Sequence, residues 1–584
     1  MSRLVISNKK EIRDKITSDS INGGFIVNGE KSIDNIYVNT FSKLNFSSEN
    51  YYEIGNDYIA CAGTLVFKGK VGSACLQEIL NSFSGDINEI RKSLIGSYVI
   101  VLYKAEKAYI FVDEVGTYAF HYYNNKNVFV ASNTYYHIGT ALGTKINSIA
   151  FKERIVEYCN IDEVSILENV FRLCGDEALF YGQGKWGKKY IGQNNYTFNT
   201  DTEEEAVDKM VELLLKYSSQ YKMLGDSPVL FTTGGVDSRF ILSLYDYLKV
   251  KPTIVNWQGA PIDMNTKEED GEIAEKLADY LKLRYIEYDV SHDYEDDYKI
   301  IIDKIKKYGE NGLIYCGNSK WYDIFNNPEF RIFDFGYFGE TIKGWELLDD
   351  NYHKGFCIDD YVNMYLNRQT YKYNDDEFRG YIRQKIIKLA QKYNMDLMDL
   401  KKEDCMQLYF EYRIHADTYC SNFANMFGYS VNLLAEKELI DFINSIGYEI
   451  KKDDHLNLRL TNCLSSKLLH IPYFTHCKYR EFIPDELILV SKEKNRNIKL
   501  WLKKGKFGKL IKKVKSLLPL KKDNNKFKKK ALDILTNTGF EKMTNMKINK
   551  NAFSYDIIML ELPGWAIMLR QIYESQGFKY SQME

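Results

Sequence analysis

The chain lacks several features that would have narrowed its role at once. Its 584 residues contain no transmembrane run, so no membrane-spanning helix is expected. The opening stretch MSRLVISNKKEIRDKI has neither an apolar core nor a small-residue cleavage site, and no signal peptide is expected either. Ten cysteines are scattered singly with no C-x-x-C, which suits reduced core residues in a cytoplasmic protein better than a disulfide framework. No H-E-x-x-H and no paired His/Cys cluster is present, which speaks against zinc. A net charge of −2 gives no overall pull toward nucleic acid. No internal repeat occurs at solenoid spacing.

What is present is a globular composition long enough for two or three domains. Residues 1 to about 135 read mostly as strands. Val99–Tyr103 and Tyr109–Val112 are apolar, β-branched and aromatic runs separated by a turn at 104–107, and their near-continuous apolar character predicts burial on both faces. The polar stretch 191–207 reads as a junction, after which Thr202-Glu203-Glu204-Glu205 opens a helix with acids in its first turn. From there strands and helices alternate. Val229–Phe231, Thr253–Trp257, Tyr285–Val290 and Arg331–Phe335 are expected strands, with helices between them, including one over about 268–283. Such alternation predicts a parallel sheet flanked by helices, with ligands at the carboxyl ends of its strands. After 345 the chain reads as helical, and 491–530 is strongly basic with apolar residues at helical spacing.

Two glycine loops fall at expected strand ends. In VLFTTGGVDSRF, Gly234 and Gly235 allow the backbone to approach a ligand, and a helix starting near Asp237 turns its N–H groups and dipole toward an anion. Thr232, Thr233 and Ser238 add hydroxyls. Asp237 beside a bare phosphate would repel it, and makes sense if Mg²⁺ bridges the two. Taken alone, the stretch also suits a plain strand-to-helix turn capped by Asp237 or Ser238. A second loop, FGYFGETIKG, also ends a strand and sets glycines beside an acid, Glu340, which favours a nucleotide site.

TTGGVDS resembles the S-G-G-x-D-S pyrophosphate loop of the asparagine synthetase-like ATP pyrophosphatases, a family that includes asparagine synthetase, β-lactam synthetase and the lasso-peptide cyclases. The stretch LIGSYVIVLYKAEKAYIFVDEVGTYAFHYY with VFVAS resembles the end of that family's Ntn-hydrolase-like domain, with Gly96, Asp113, Gly116 and Ser132 in the expected places. FGYFGETIKG resembles its second ATP loop, usually S-G-E-G-S-D-E-x-x-G, and NLLAEKELIDFINSI resembles its later R-V-P-F-L-D segment. The resemblance implies an α/β multidomain fold. Stacked antiparallel sheets of Ntn-hydrolase type would occupy 1–195, a parallel-sheet ATP pyrophosphatase (PP-loop) domain with a helical later part 203–480, and a basic helical extension outside the resemblance 481–584. It also implies a reaction: ATP adenylates a carboxylate with release of pyrophosphate, and an amine then forms the amide. By position, the backbone from Thr233 through Gly234, Gly235, Val236, Asp237 and Ser238 would cradle pyrophosphate beside Thr232 and Gly336. Asn256 and the neighbouring backbone would touch adenine, Asp270 would be an acid near ATP, and Asp237 and Glu340 would hold Mg²⁺.

The departures from the family carry as much meaning. Members that use glutamine have Cys after the initiator Met, whereas this chain has Ser2, and the R-G-P-D and N-G-E-I-Y-N glutamine-binding motifs have no counterpart. A first domain without glutaminase activity is the expectation. Tyr337 stands where asparagine synthetase has Glu, resembling the Tyr of the β-lactam synthetase proton relay, and a phenol of pKa about 10 suits an amine nucleophile. Position counting suggests Asp417, or alternatively Glu411, as its carboxylate partner, and Lys478 as the lysine that steadies the acyl-phosphate. Tyr337 also reads as packing against the sheet, and Arg239 as reaching the phosphates or the substrate, or as pairing on its helix face. The expected activity is an ATP-dependent amide-forming ligase acting on a small-molecule or peptide carboxylate and an amine in natural-product or modified-peptide biosynthesis. The alternatives are amidation of a cell-surface polysaccharide precursor and a non-catalytic ATP-binding scaffold. The segment 491–530 suits a solvated helix, an anionic partner or a membrane surface, and a homodimer is compatible with the sequence.

Overall fold

A computed structural model describes residues 2–192, 198, 200, 202–258, 267–289, 294–313, 322–367, 375–471, 529, 531–546 and 556–575. The first part contains the strands β1 (Arg3–Ser7), β2 (Val27–Ile33), β3 (Ile36–Phe41), β4 (Tyr51–Ile54), β5 (Asp57–Gly63), β6 (Val66–Phe67), β7 (Leu94–Ile95), β8 (Tyr98–Lys104), β9 (Lys107–Val112), β10 (His121–Asn124), β11 (Phe129–Ser132), β12 (Val170–Arg172), β13 (Glu177–Gly182) and β14 (Lys185–Tyr190). Twelve of them form two six-stranded antiparallel sheets, in the orders β12-β10-β11-β1-β3-β2 and β14-β13-β9-β8-β5-β4.

The period of two along β8 explains how the sheets stack. Val99, Val101 and Tyr103 point into the layer between the sheets with Leu4, Ile6 and Val38, whereas Ile100 and Leu102 face the other way, onto Leu76 and Ile79 of the helix Gly72–Ser82. Both faces of β8 are therefore buried, as its apolar run predicts. The β8–β9 turn carries Ala105 and Glu106, both at positive φ (51° and 60°), the backbone of a tight hairpin built without glycine.

The junction resolves into the helix Glu203–Tyr221, which opens with a capping box: Thr202 accepts from the Glu205 N–H and Glu205 accepts from the Thr202 N–H. A five-stranded sheet follows, from β15 (Val229–Phe231), β16 (Thr253–Gln258), β17 (Tyr285–Asp289), β18 (Ile332–Asp334) and β19 (Tyr429–Val431). Its order is β17-β16-β15-β18-β19, and every pair is parallel. The fold is thus α/β and multidomain, with stacked antiparallel sheets followed by a parallel sheet and a largely helical later part. β19 corrects the expectation that everything after 345 is helical. Three residues between the helix Lys402–Phe427 and the turn Leu433–Ala435 are too few to show a strand period.

The parts interlock. Asn45 Nδ2 donates to the carbonyls of Phe325 (2.7 Å), Asn327 (3.1 Å) and Phe330 (3.1 Å). One apolar cluster joins Val5 and Val130 of the first sheet, Phe231 and Phe333 of the parallel sheet, and Trp565, Leu569 and Ile572 of the helix Asp556–Ser575. Among the described residues no helix is long and apolar enough to cross a membrane. The basic segment 491–530 lies outside the described residues except for Lys529.

Candidate functional site

The parallel sheet has one switch point. The chain runs outward from β15 to β16 and β17, then returns to place β18 on the other side of β15. Loops leaving the carboxyl ends of β15 and β18 diverge there and open a crevice. Both glycine loops lie at that crevice, in a cleft of about 320 Å³. Nine of the residues predicted from sequence line it: Thr232, Thr233, Asp237, Ser238, Asn256, Asp270, Gly336, Tyr337 and Glu340. Gly234, Gly235 and Val236 complete the first loop.

Hydrogen bonds hold the first loop in shape. Thr232 N–H donates to Val255 O (2.9 Å), and Asn256 Nδ2 donates to Thr232 O (2.7 Å), which ties the ends of β15 and β16 together. Thr233 N–H donates to Ser238 Oγ (3.1 Å), Gly235 N–H to Thr233 Oγ1 (3.2 Å) and Gly234 N–H to Asp270 Oδ1 (2.8 Å). Gly235 has an ordinary φ of −78°, and a Cβ added there meets only Thr233 Oγ1, at 3.4 Å. The protein's own packing does not require glycine at 235, and clearance for a ligand is a use that remains. The helix Val236–Tyr247 begins here, and a helix leaves its first N–H groups without intrahelical partners.

The second loop is strained and anchored. Gly336 adopts a φ of +62°, and Phe338, fully buried, adopts +69° at the start of the helix Gly339–Ile342. Asp334 fixes the loop's beginning by accepting from Gly336 N–H (2.8 Å) and from Tyr245 Oη (2.7 Å). Burial pushes the Asp334 carboxyl up to about 6. The two loops meet where a Cβ on Gly339 would come within 2.7 Å of Asp237 Cβ.

The cleft's acids are matched by basic and polar groups. Lys343 Nζ lies 2.9 Å from Asp237 Oδ2, and Asn457 Nδ2 donates to Asp237 Oδ1 (2.8 Å). Tyr409 Oη donates to Glu340 Oε2 (2.8 Å), and Arg413 Nη1 lies 3.1 Å from the same oxygen. One wall is a ladder of near-parallel rings. Trp257 stacks on Phe231 (4.5 Å, 9°), Phe231 on Phe335 (4.4 Å, 10°) and Phe335 on Tyr337 (4.9 Å, 10°). The first three rings come from the ends of neighbouring strands, whose spacing of about 4.8 Å sets the ring spacing.

The remaining candidates fall elsewhere. Glu411 accepts a hydrogen bond from Tyr393 Oη and lines a different cleft, with Arg172, Lys392 and His415. Its expected partnership with Tyr337 is corrected by helix geometry. On Lys402–Phe427, Tyr409 and Arg413 both reach Glu340 of the switch-point cleft from positions one turn apart, and Glu411, two residues from each, faces away. Asp417 belongs to the same helix, but its side chain lies outside the described residues, as does Lys478. Arg239 is fully buried and donates to the carbonyls of Leu468 (3.0 Å) and Ile471 (2.7 Å), a packing role away from the cleft. Ser2 is buried at the start of β1, with its hydroxyl donating to the carbonyls of Phe41 and Ser42.

Sequence reasoning missed Trp257, Lys343, Tyr409, Arg413 and Asn457. Lys343 was within reach, three residues after Glu340 in the second loop. Arg413 and Asn457 arrive from helices far along the chain, with no local signal. The second cleft is larger, about 390 Å³, and its charges also pair among themselves, as in Lys385–Asp162 (2.8 Å) and Lys392–Asp176 (3.0 Å). Position at the carboxyl ends of the parallel strands, rather than size, therefore selects the cleft at the switch point.

No protein-family model matches the chain, and no curated protein does. Among solved structures, the chain is similar to glutamine phosphoribosylpyrophosphate amidotransferase from B. subtilis complexed with ADP and GMP, at 9% identity and a TM-score of 0.22, with 49% of this chain and 65% of that one covered. A structure described as the allosteric regulatory enzyme of purine biosynthesis is similar at 9% identity and a TM-score of 0.23, with 49% and 65% covered.

Proposed function

We propose that the cleft binds ATP and uses it to activate a carboxylate, which an amine then attacks to form an amide. The observation that carries this is the convergence of two glycine loops, from strands on either side of the switch point, on one cleft that also holds hydroxyls, a helix N-terminus and an aromatic wall. In the first step a carboxylate oxygen attacks the α-phosphorus and pyrophosphate leaves. In the second the amine displaces AMP and gives up a proton.

Each feature has a part in this scheme. Thr233, Ser238 and the first turn of Val236–Tyr247 would hold the phosphates as hydrogen-bond donors. Val255, Asn256 and the ring ladder would border the base. Tyr337, which stacks at the end of the ladder, would take the amine's proton in its phenolate form. The donor set does not fit a Mg²⁺ ion held by Asp237 and Glu340. Both Asp237 oxygens and Glu340 Oε2 already accept from protein donors. No step is therefore assigned to a metal.

The test is exchange of labelled pyrophosphate into ATP across a panel of carboxylic acids. Acid-dependent exchange is expected from the wild type. It should fall roughly tenfold in Ser238→Ala, which loses the hydroxyl that organises the loop. Release of ADP and phosphate in place of AMP and pyrophosphate would sink adenylation. A second possibility, a nucleotide-binding scaffold, is favoured by the hydrogen bonds from the Gly234 and Gly235 N–H groups to the protein's own oxygens. Nucleotide binding without AMP formation under any acid would identify it.

A further inference from the structure

Lys343 occupies an unusual position for a lysine. It follows the short helix of the second loop and reaches back to the first, with Nζ 2.9 Å from Asp237 Oδ2 and 3.8 Å from Asp454. Its side chain is 26% exposed, as fits a lysine that folds back between the two loops. Neighbouring Asp237, Asp454 and Glu340 favour its charged form against the opposing effect of burial, and its pKa is raised.

Asp237 has little freedom to leave this arrangement. Asn457 holds its other oxygen, and Gly339 packs so closely that no Cβ fits between the loops. A carboxylate at the start of a phosphate-type loop would ordinarily repel the ligand unless a cation lies between them. The cation beside Asp237 is part of the chain.

We propose that Lys343 stands in for a divalent cation at this site: its ammonium, held by Asp237, meets the phosphate chain of the nucleotide, so nucleotide binding does not require Mg²⁺. This rests on the nucleotide reading of the cleft. An ammonium has three N–H donors and Asp237 accepts one, so the same group can neutralise Asp237 and donate to a phosphate oxygen. Arg413 answers Glu340 in the same manner across the cleft.

The experiment is calorimetric titration of α,β-methylene-ATP into wild type and Lys343→Met, each with excess Mg²⁺ and with excess EDTA, after thermal melting has verified that the variant folds. Wild-type affinity is expected to agree within about threefold between the two conditions. Lys343→Met is expected to bind at least about tenfold more weakly in EDTA and to recover part of that loss in Mg²⁺. A gain of metal dependence is an effect that loss of a purely structural ion pair would not produce. Wild-type binding that appears only with Mg²⁺ overturns the proposal while leaving the nucleotide site intact, and it does so even if the variant fails to fold. Equal binding by the variant in both conditions overturns it too. No binding by wild type in either condition overturns the nucleotide reading and the proposal together.

Discussion

Gly339 has no room for a side chain, because a Cβ there would come within 2.7 Å of Asp237 Cβ on the other loop. Gly339→Ala would force the two loops apart. Overpacking of this kind is expected to destabilise the fold by about 1–3 kcal/mol and to weaken nucleotide binding with it. Urea unfolding and nucleotide titration on the same preparation would check both, and an unchanged midpoint would show that the loops are not interlocked. The same pair illustrates how far single residues could be read. Asp237 stood out because an acid in a phosphate-type loop needs a cation. That the nearest cation is Lys343 depends on a side chain folding back over a helix of four residues, which no local pattern encodes. Arg239, two residues after Asp237, went the other way: helical rotation carries it into the packing against Leu468 and Ile471.

At the scale of elements, the helix Tyr135–Leu142 has an unusual cap. Its first N–H groups, on Tyr135 and Tyr136, donate to the carboxylate of Glu310 (3.0 and 3.1 Å), which also accepts from Thr134 Oγ1 (2.7 Å). Glu310 comes from the short turn Gly309–Leu313 after the helix Tyr294–Tyr308, so the later part of the chain caps a helix of the first. Glu310→Ala leaves those buried donors without their acceptor. We expect a loss of about 1–3 kcal/mol, with hydrogen exchange rising first in the amides of 135–142. Exchange that rises uniformly over the chain would show that the cap is not local. The helix start at Thr202-Glu203-Glu204-Glu205 was legible because its acids lie within one turn of sequence. Glu310 was not, because its partners lie more than a hundred and seventy residues away.

Across the whole molecule, the stacked antiparallel sheets and the part built on the parallel sheet share a buried carboxyl group. Glu436 accepts from Gly96 N–H (3.1 Å) on one side and from Tyr221 Oη on the other. Burial, with Asp113 and Glu114 nearby, pushes its pKa from 4.5 up to about 8. The folded protein therefore keeps a proton that the unfolded chain has already released between those values. Stability from this group is complete below about pH 4.5 and is lost as pH rises through about 8. Each pH unit within that window removes about 1.4 kcal/mol. Glu436→Gln cannot ionise, so its melting temperature should gain on the wild type between pH 6 and 8 and then run parallel. Curves parallel throughout would mean that Glu436 is already ionised at pH 6.

The amino-acid sequence by itself determined the architecture and brought both glycine loops to the ends of the parallel strands. Strand and helix periods, and glycines at strand ends, are short-range signals that survive wherever both partners lie within a few residues. They placed β15, β16, β17 and β18, the helix Glu203–Tyr221 and both loops of the cleft. The tertiary structure alone decided which side chains share that cleft. It supplied β19, too short to show a period, and set Glu411 and Arg413 on different faces of one helix. It brought Lys343 to Asp237 and Glu310 to the helix at Tyr135. Each of these depends on rotation about a helix axis or on contact between distant segments, and neither leaves a periodic trace in the sequence.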